Sequence, residues 1–103
     1  MDKEKLNKRM ILALTDILIL NAVKKEPMCR QDLSNWFLRE FNTPINGSTL
    51  HPVLMKLKDN SLLRMKKKGA KKIFYLTPEG EKLRKGMIKT YSDIHKEVLS
   101  FIR

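Results

Sequence analysis

Cysteine is nearly absent from this sequence: its 103 residues contain one, Cys29. A single thiol cannot staple a monomer or complete a metal set. This fits a reducing, intracellular setting and leaves only an intermolecular disulfide open. Histidine is almost as scarce. His51 and His95 fall in different predicted helices, with no Cys or carboxylate cluster at ligand spacing, so no metal site is expected. Four glycines leave no Gly-rich phosphate loop, and the sequence has neither a nucleophile motif nor paired catalytic carboxylates. Neither an enzyme nor a cofactor is expected. The apolar run over residues 10–20 is interrupted by Thr15 and Asp16. It falls short of the roughly 20 apolar residues that span a bilayer, and no small-residue cleavage site follows it. It reads as a core helix of a soluble, cytoplasmic protein with no membrane partner. Repeats and low-complexity linkers are missing as well, so residues 1–103 are expected to form one domain with a single modest core.

Acids are the other scarcity. Eleven Asp and Glu face 22 Lys and Arg, a net charge of +11 that calls for a polyanionic partner, either nucleic acid or an acidic membrane surface. The charge is concentrated: residues 61–92 hold ten basic and two acidic side chains, or +8 of the +11. Within residues 64–72, six of nine are Lys or Arg and none is acidic.

Strong helix formers fill residues 3–25, with no Gly or Pro before Pro27, and predict one continuous helix. Met10, Leu14, Ile17, Leu18 and Val23 suit one face, while Ile11, Leu12, Ile19 and Leu20 make the others apolar too. Such a helix is buried on several sides, and in so small a domain a partner subunit is expected to cover some of it. Residues 30–41 predict a second helix with Leu33, Trp36, Phe37 and Phe41 as its inner stripe. Pro44 follows, and Ile45 is expected to form a very short strand. A third helix opens in the capping cluster Asn46-Gly47-Ser48-Thr49, with Leu50, Val53, Leu54 and Leu57 facing inward. Pro52 is tolerated only where the carbonyl four residues back lies outside the helix, which puts the start near Ser48.

After the turn Asp59-Asn60-Ser61, period-two alternation over residues 63–68 and 71–76 predicts a hairpin closed at Gly69-Ala70. Thr77-Pro78-Glu79 opens a last helix over residues 78–102: Thr as N-cap, Pro at the first helical position, an acid in the first turn. Met87, Tyr91, Ile94, Val98 and Phe101 recur along it at spacings of 4, 3, 4 and 3, an a/d seam two heptads long. With Met10 and Leu14 of the first helix, this seam is the expected homodimer interface. The element order predicts a mainly α, α+β fold: a winged helix-turn-helix over residues 3–76 and a long C-terminal dimerisation helix over residues 78–102.

Particular words narrow this further. Gly47-Ser48-Thr49-Leu50-His51-Pro52-Val53-Leu54, followed by Lys56-Leu57-Lys58-Asp59-Asn60-Ser61-Leu62-Leu63, resembles the PadR family of transcriptional regulators. That family has Gly-Thr-Leu-Tyr-Pro-Ala-Leu continuing into a Leu-Glu-x-x-Gly-Leu turn. Leu76-Thr77-Pro78-Glu79-Gly80 matches its strand-to-last-helix junction unchanged. Upstream, Pro27 and Leu33 agree in type, while Cys29, Arg30 and Gln31 depart; His51 replaces the usual Tyr and Ser61 the usual Gly. The resemblance covers about residues 10–80. It implies an intracellular, nucleoid-associated repressor of the short subclass that binds double-stranded DNA as a homodimer. The short subclass of that family can also take a small-molecule effector at the dimer interface, where Trp36 and Tyr91 are the candidates to stack on a flat molecule.

By position, Ser48, Thr49, His51 and Lys56 are candidates to enter a major groove. The plainer role for Ser48 and Thr49 is capping, and the two roles are compatible. Arg30 and Gln31 are expected to face a phosphate strand. Lys66, Lys67, Lys68, Lys71 and Lys72 are expected along the DNA backbone or minor groove, lysine attracting phosphate without the bidentate fork that reads bases. A solvated lysine surface is the plainer alternative. For Cys29 the choice is between a redox thiol and a small core or cap residue, the latter favoured because no second cysteine exists. For Trp36 and Tyr91 the plainer roles are core and seam packing. Two other functions fit the same fold: a sequence-indifferent chromatin or architectural protein, and a winged-helix protein-interaction module.

Overall fold

The computed structural model describes residues 3–102. The order is α1 (Lys3–Ala13), α2 (Thr15–Lys25), α3 (Arg30–Phe41), α4 (Gly47–Asp59), β1 (Leu63–Lys68), β2 (Lys71–Leu76) and α5 (Pro78–Ile102).

The continuous first helix expected from propensity is interrupted at Leu14, where φ is −106° and ψ 13°. Thr15 supplies the reason. Its buried hydroxyl must find an acceptor, and it donates to the carbonyls of Leu12 (2.9 Å) and Ile11 (3.1 Å). The Leu14 N–H is shared between Met10 O (3.2 Å) and Ile11 O (3.1 Å). The break separates two environments: Ile17, Ile19, Leu20, Ala22 and Val23 of α2 are buried, whereas Leu6, Met10 and Leu12 of α1 stay exposed.

Around α2 the core collects Leu33, Trp36 and Phe37 from α3, Leu50, Leu54 and Leu57 from α4, and Leu63 and Phe74 from the hairpin. Trp36 meets Phe37 and Phe41 edge-on, with centroids 5.0 and 5.5 Å apart, so it is a core residue. Cys29 caps α3: its Sγ accepts the Asp32 N–H (3.4 Å), and the Asp32 carboxylate accepts the Cys29 N–H (3.2 Å). The short strand expected at Ile45 is not formed. Ile45 is buried in a loop, its carbonyl accepting the Ser34 hydroxyl at 3.0 Å. Met28 takes the sheet position instead, exchanging backbone hydrogen bonds with Phe74 (2.9 and 3.3 Å).

Helix α4 begins one residue earlier than expected, at Gly47, because Asn46 is the N-cap and its side chain accepts the Thr49 N–H at 3.0 Å. Pro52 is therefore one position deeper, and Ser48, inside the helix, is the carbonyl that lacks an i+4 donor. Ser48 is exposed, so water can serve it. At the other end Ser61 adopts the left-handed conformation (φ 61°), with Leu62 N–H to Leu57 O and Ser61 N–H to Lys58 O both at 2.9 Å. This is the paired hydrogen-bond pattern of a Schellman cap, built on Ser where Gly is usual.

The hairpin pairs antiparallel from Leu63↔Leu76 to Lys68↔Lys71. Its two-residue turn puts Gly69 at φ 62° and keeps Ala70 at negative φ, the type II′ pattern that matches strand twist. Leu63 and Phe74 are buried and Met65 and Leu76 partly so, which ties one face of the wing to α4 and α2.

The junction into α5 is held by Thr77. Its hydroxyl accepts the Gly80 N–H (2.9 Å) and donates to Ser61 O (2.7 Å). Gly80 lies so close to the Leu62 carbonyl that a Cβ would collide with it. One turn on, Glu81 receives Arg84 and Lys24 (3.0 Å to the latter), and Arg84 Nη1 donates to Asn21 Oδ1 at 2.8 Å, fastening α5 to α2. The Arg84 guanidinium foremost, and Lys24 next, pull the Glu81 carboxyl down to about 2.

Candidate nucleic-acid interface

Three elements converge on one face. The α3 capping box sets Arg30 and Gln31 at the helix start, both exposed. The Asn46 cap fixes the first turn of α4 and so the direction of His51. The II′ turn returns the chain so that Lys71 and Lys72 come back beside α3. Together Arg30, Gln31, His51, Lys71 and Lys72 line a pocket of about 330 Å³, floored by Cys29, Leu54 and Phe74. The Arg30 guanidinium lies against the start of α4, where a Cβ on Gly47 would meet its Nε at 3.0 Å. The nearby acid, Asp32, is already engaged. Its carboxyl is held below the usual range chiefly by the Cys29 N–H, then by the Cys29 side chain, with Lys71 adding its charge.

The wing tip is unfavourable by itself. Lys67 stands directly opposite Lys72 and Lys68 opposite Lys71, and like charges in such positions destabilise a hairpin. No wing lysine takes part in an ion pair among the described residues. Lys66 lies on the outer face over the Tyr75 ring, 5.6 Å from its centroid. A line of phosphates is the kind of surface that would remove this repulsion.

Not every candidate joins the cluster. Lys56 lies on the other edge of α4, lining with Pro52, Val53, Leu83 and Met87 a groove of about 590 Å³ between α4, the α1–α2 junction and α5. Ser48 and Thr49 are exposed at the start of α4; the Ser48 hydroxyl donates to Asn46 Oδ1 at 2.6 Å, supporting the cap rather than forming it. Sequence reading missed Met55, which lines the basic pocket beside His51. Its signal was there: Met55 is four residues from His51 on the same helix side.

The seam residues divide. Met87 packs partly against the core, while Tyr91, Ile94, Val98 and Phe101 are 44, 53, 49 and 87% exposed. Met10, Leu14 and Tyr91 line a second apolar groove of about 550 Å³, and the other aromatic residue there is Phe41, not Trp36. Tyr91 stacks on His95 with centroids 5.9 Å apart. Among the described residues no helix is long and apolar enough to cross a membrane, and no group of three or more His, Cys, Asp or Glu could hold a metal ion.

Neither a protein-family model nor a curated protein matches the sequence. Solved structures do match it. A transcriptional regulator from Clostridium thermocellum aligns with a TM-score of 0.85 at 18% identity, covering 92% of this chain and 99% of its own. A PadR-like transcription factor from Bacteroides fragilis aligns at 0.77 and 22% identity, covering 94% and 98%. A winged-helix DNA-binding protein from STIV aligns at 0.68 and 21% identity, covering 82% and 91%. The chain therefore has the winged-helix fold that PadR-like regulators share, with the long C-terminal helix included.

Proposed function

We propose that this chain is a PadR-like transcriptional regulator, a repressor that binds double-stranded DNA as a homodimer. The observation that carries the reading is the convergence of Arg30, Gln31, His51, Lys71 and Lys72, from three separate elements, on one basic pocket beside α4. In this reading α4 enters the major groove, Arg30 and Gln31 face one phosphate strand, and the wing lysines lie along the flanking backbone. Two such units, with α4 helices about 34 Å apart, read a two-fold symmetric site. The exposed apolar stripe Tyr91–Ile94–Val98–Phe101 supports a dimer formed through α5, because a monomer would leave that contiguous surface in water. We assign a flat, apolar effector to the groove lined by Phe41 and Tyr91, next to the same seam.

Selection of bound sites from random duplexes tests this. A palindromic consensus is expected. Tight binding without any consensus would favour a sequence-indifferent architectural protein, and absence of binding would favour a protein-interaction module.

A further inference from the structure

The chemistry of the outward stripe of α4 goes beyond general DNA binding and bears on which bases are read. At 100° per residue, Leu50, Leu54 and Leu57 define the buried side of this helix. Ser48, Pro52, Met55 and Asp59, at the same i, i+4, i+7 spacing, lie on the opposite side. Ser48, Pro52 and Asp59 are exposed and Met55 half-buried. Thr49 and Lys56 flank this stripe on one side, His51 and Lys58 on the other.

The stripe has no Arg, Lys, Asn or Gln, the side chains that pair bidentately with guanine or adenine edges; the two lysines of α4, Lys56 and Lys58, only flank it. What the middle of the helix offers instead is a pyrrolidine ring and a thioether, both apolar. In the major groove the apolar feature is the 5-methyl group of thymine. Asp59, at the C-terminal end of the stripe, repels phosphate and so favours entry by the part of the helix ahead of it, which carries Pro52 in its second turn and Met55 at the start of its third.

We infer that Pro52 and Met55 are specificity-determining residues that select thymine through its 5-methyl group. The inference rests on the DNA-binding reading above. Ser48, whose hydroxyl proton is committed to Asn46 Oδ1, keeps lone pairs to accept from an exocyclic amino group. Met55 lines the basic pocket together with His51 and packs in part against the core, and its flexible thioether can settle against a methyl without a fixed geometry.

The test uses the duplex recovered by selection, with each thymine replaced singly by deoxyuridine, which deletes the methyl and leaves pairing intact. Binding of the intact protein is expected to weaken about fourfold at each contacted thymine, the burial of one methyl. Met55→Ala should abolish discrimination between dT and dU at one position, and Pro52→Ala at another. Pro52→Ala restores an N–H to the Ser48 carbonyl, so loss of fold is not the expected effect. Tight binding by the intact protein that is indifferent to dU at every thymine would overturn the inference while leaving the DNA-binding reading standing. So would a consensus with no thymine in its half-site, or variants that keep the discrimination of the intact protein. Failure to bind any duplex would overturn both.

Discussion

Two glycines of α5 should respond to the same substitution with opposite signs. At Gly80 a Cβ would collide with the Leu62 carbonyl oxygen and lie 2.8 Å from Leu76 Cδ1. That carbonyl cannot move cheaply. Leu62 N–H is held by Leu57 O at 2.9 Å, and Leu62 O accepts Thr77 N–H at 3.3 Å. Overpacking costs about 1–3 kcal/mol, and collision with anchored backbone belongs at the top of that range. The helix-propensity gain of Gly→Ala returns about 1 kcal/mol, so Gly80→Ala should lose about 2 kcal/mol. At Gly86 a Cβ would meet nothing within 4 Å, and Gly86→Ala should keep the full gain of about 1 kcal/mol. At about 4–8 °C per kcal/mol for a domain near this size, Tm should fall by about 10 °C or more for the first and rise by about 5 °C for the second. Thermal unfolding followed by circular dichroism at matched protein concentration measures both. A Gly80→Ala variant as stable as the parent would refute the packing of α5 against the turn after α4.

Ser61→Gly should stabilise the chain by about 1 kcal/mol, since Ser61 sits at φ 61° where a Cβ is strained; urea unfolding reads it, and no gain would argue against the left-handed cap. Glu81 titrates near 2 in the folded state against 4.5 ordinarily. Its lowered value stabilises the fold above about pH 4.5, and that contribution is lost as pH falls from 4.5 towards 2. Glu81→Gln should flatten stability across that window, and an unchanged acid profile would remove Glu81 from the account. Ile94→Glu places a charge in the exposed stripe of α5 and should yield a monomer in sedimentation; an unchanged dimer would sink the seam.

Much of this molecule was legible in its sequence, and the exceptions share a cause. Helix α3, the hairpin and α5 have the bounds that periodicity and caps predict, because Cys29, Thr77-Pro78 and Gly69-Ala70 act locally. The break at Leu14 was hidden because propensity sums over residues 3–25 do not register one buried hydroxyl competing for carbonyls. Met28, not Ile45, pairs with Phe74 because the choice depends on how α3 and the wing pack, a tertiary fact. The basic residues were legible as a set, but not their division. Convergence puts Arg30, His51 and Lys71 around one pocket and leaves Lys56 on another groove.

The central claim is that a two-fold assembly of this chain neutralises DNA phosphates through the face carrying Arg30, His51 and the wing. Affinity for the selected duplex as a function of salt measures this most directly. With three to five phosphates neutralised per subunit, log K should fall against log[salt] with a slope of about −5 to −9, and Lys67→Glu with Lys71→Glu should make the slope shallower. A slope near zero, or one unmoved by reversing those two wing charges, would contradict it.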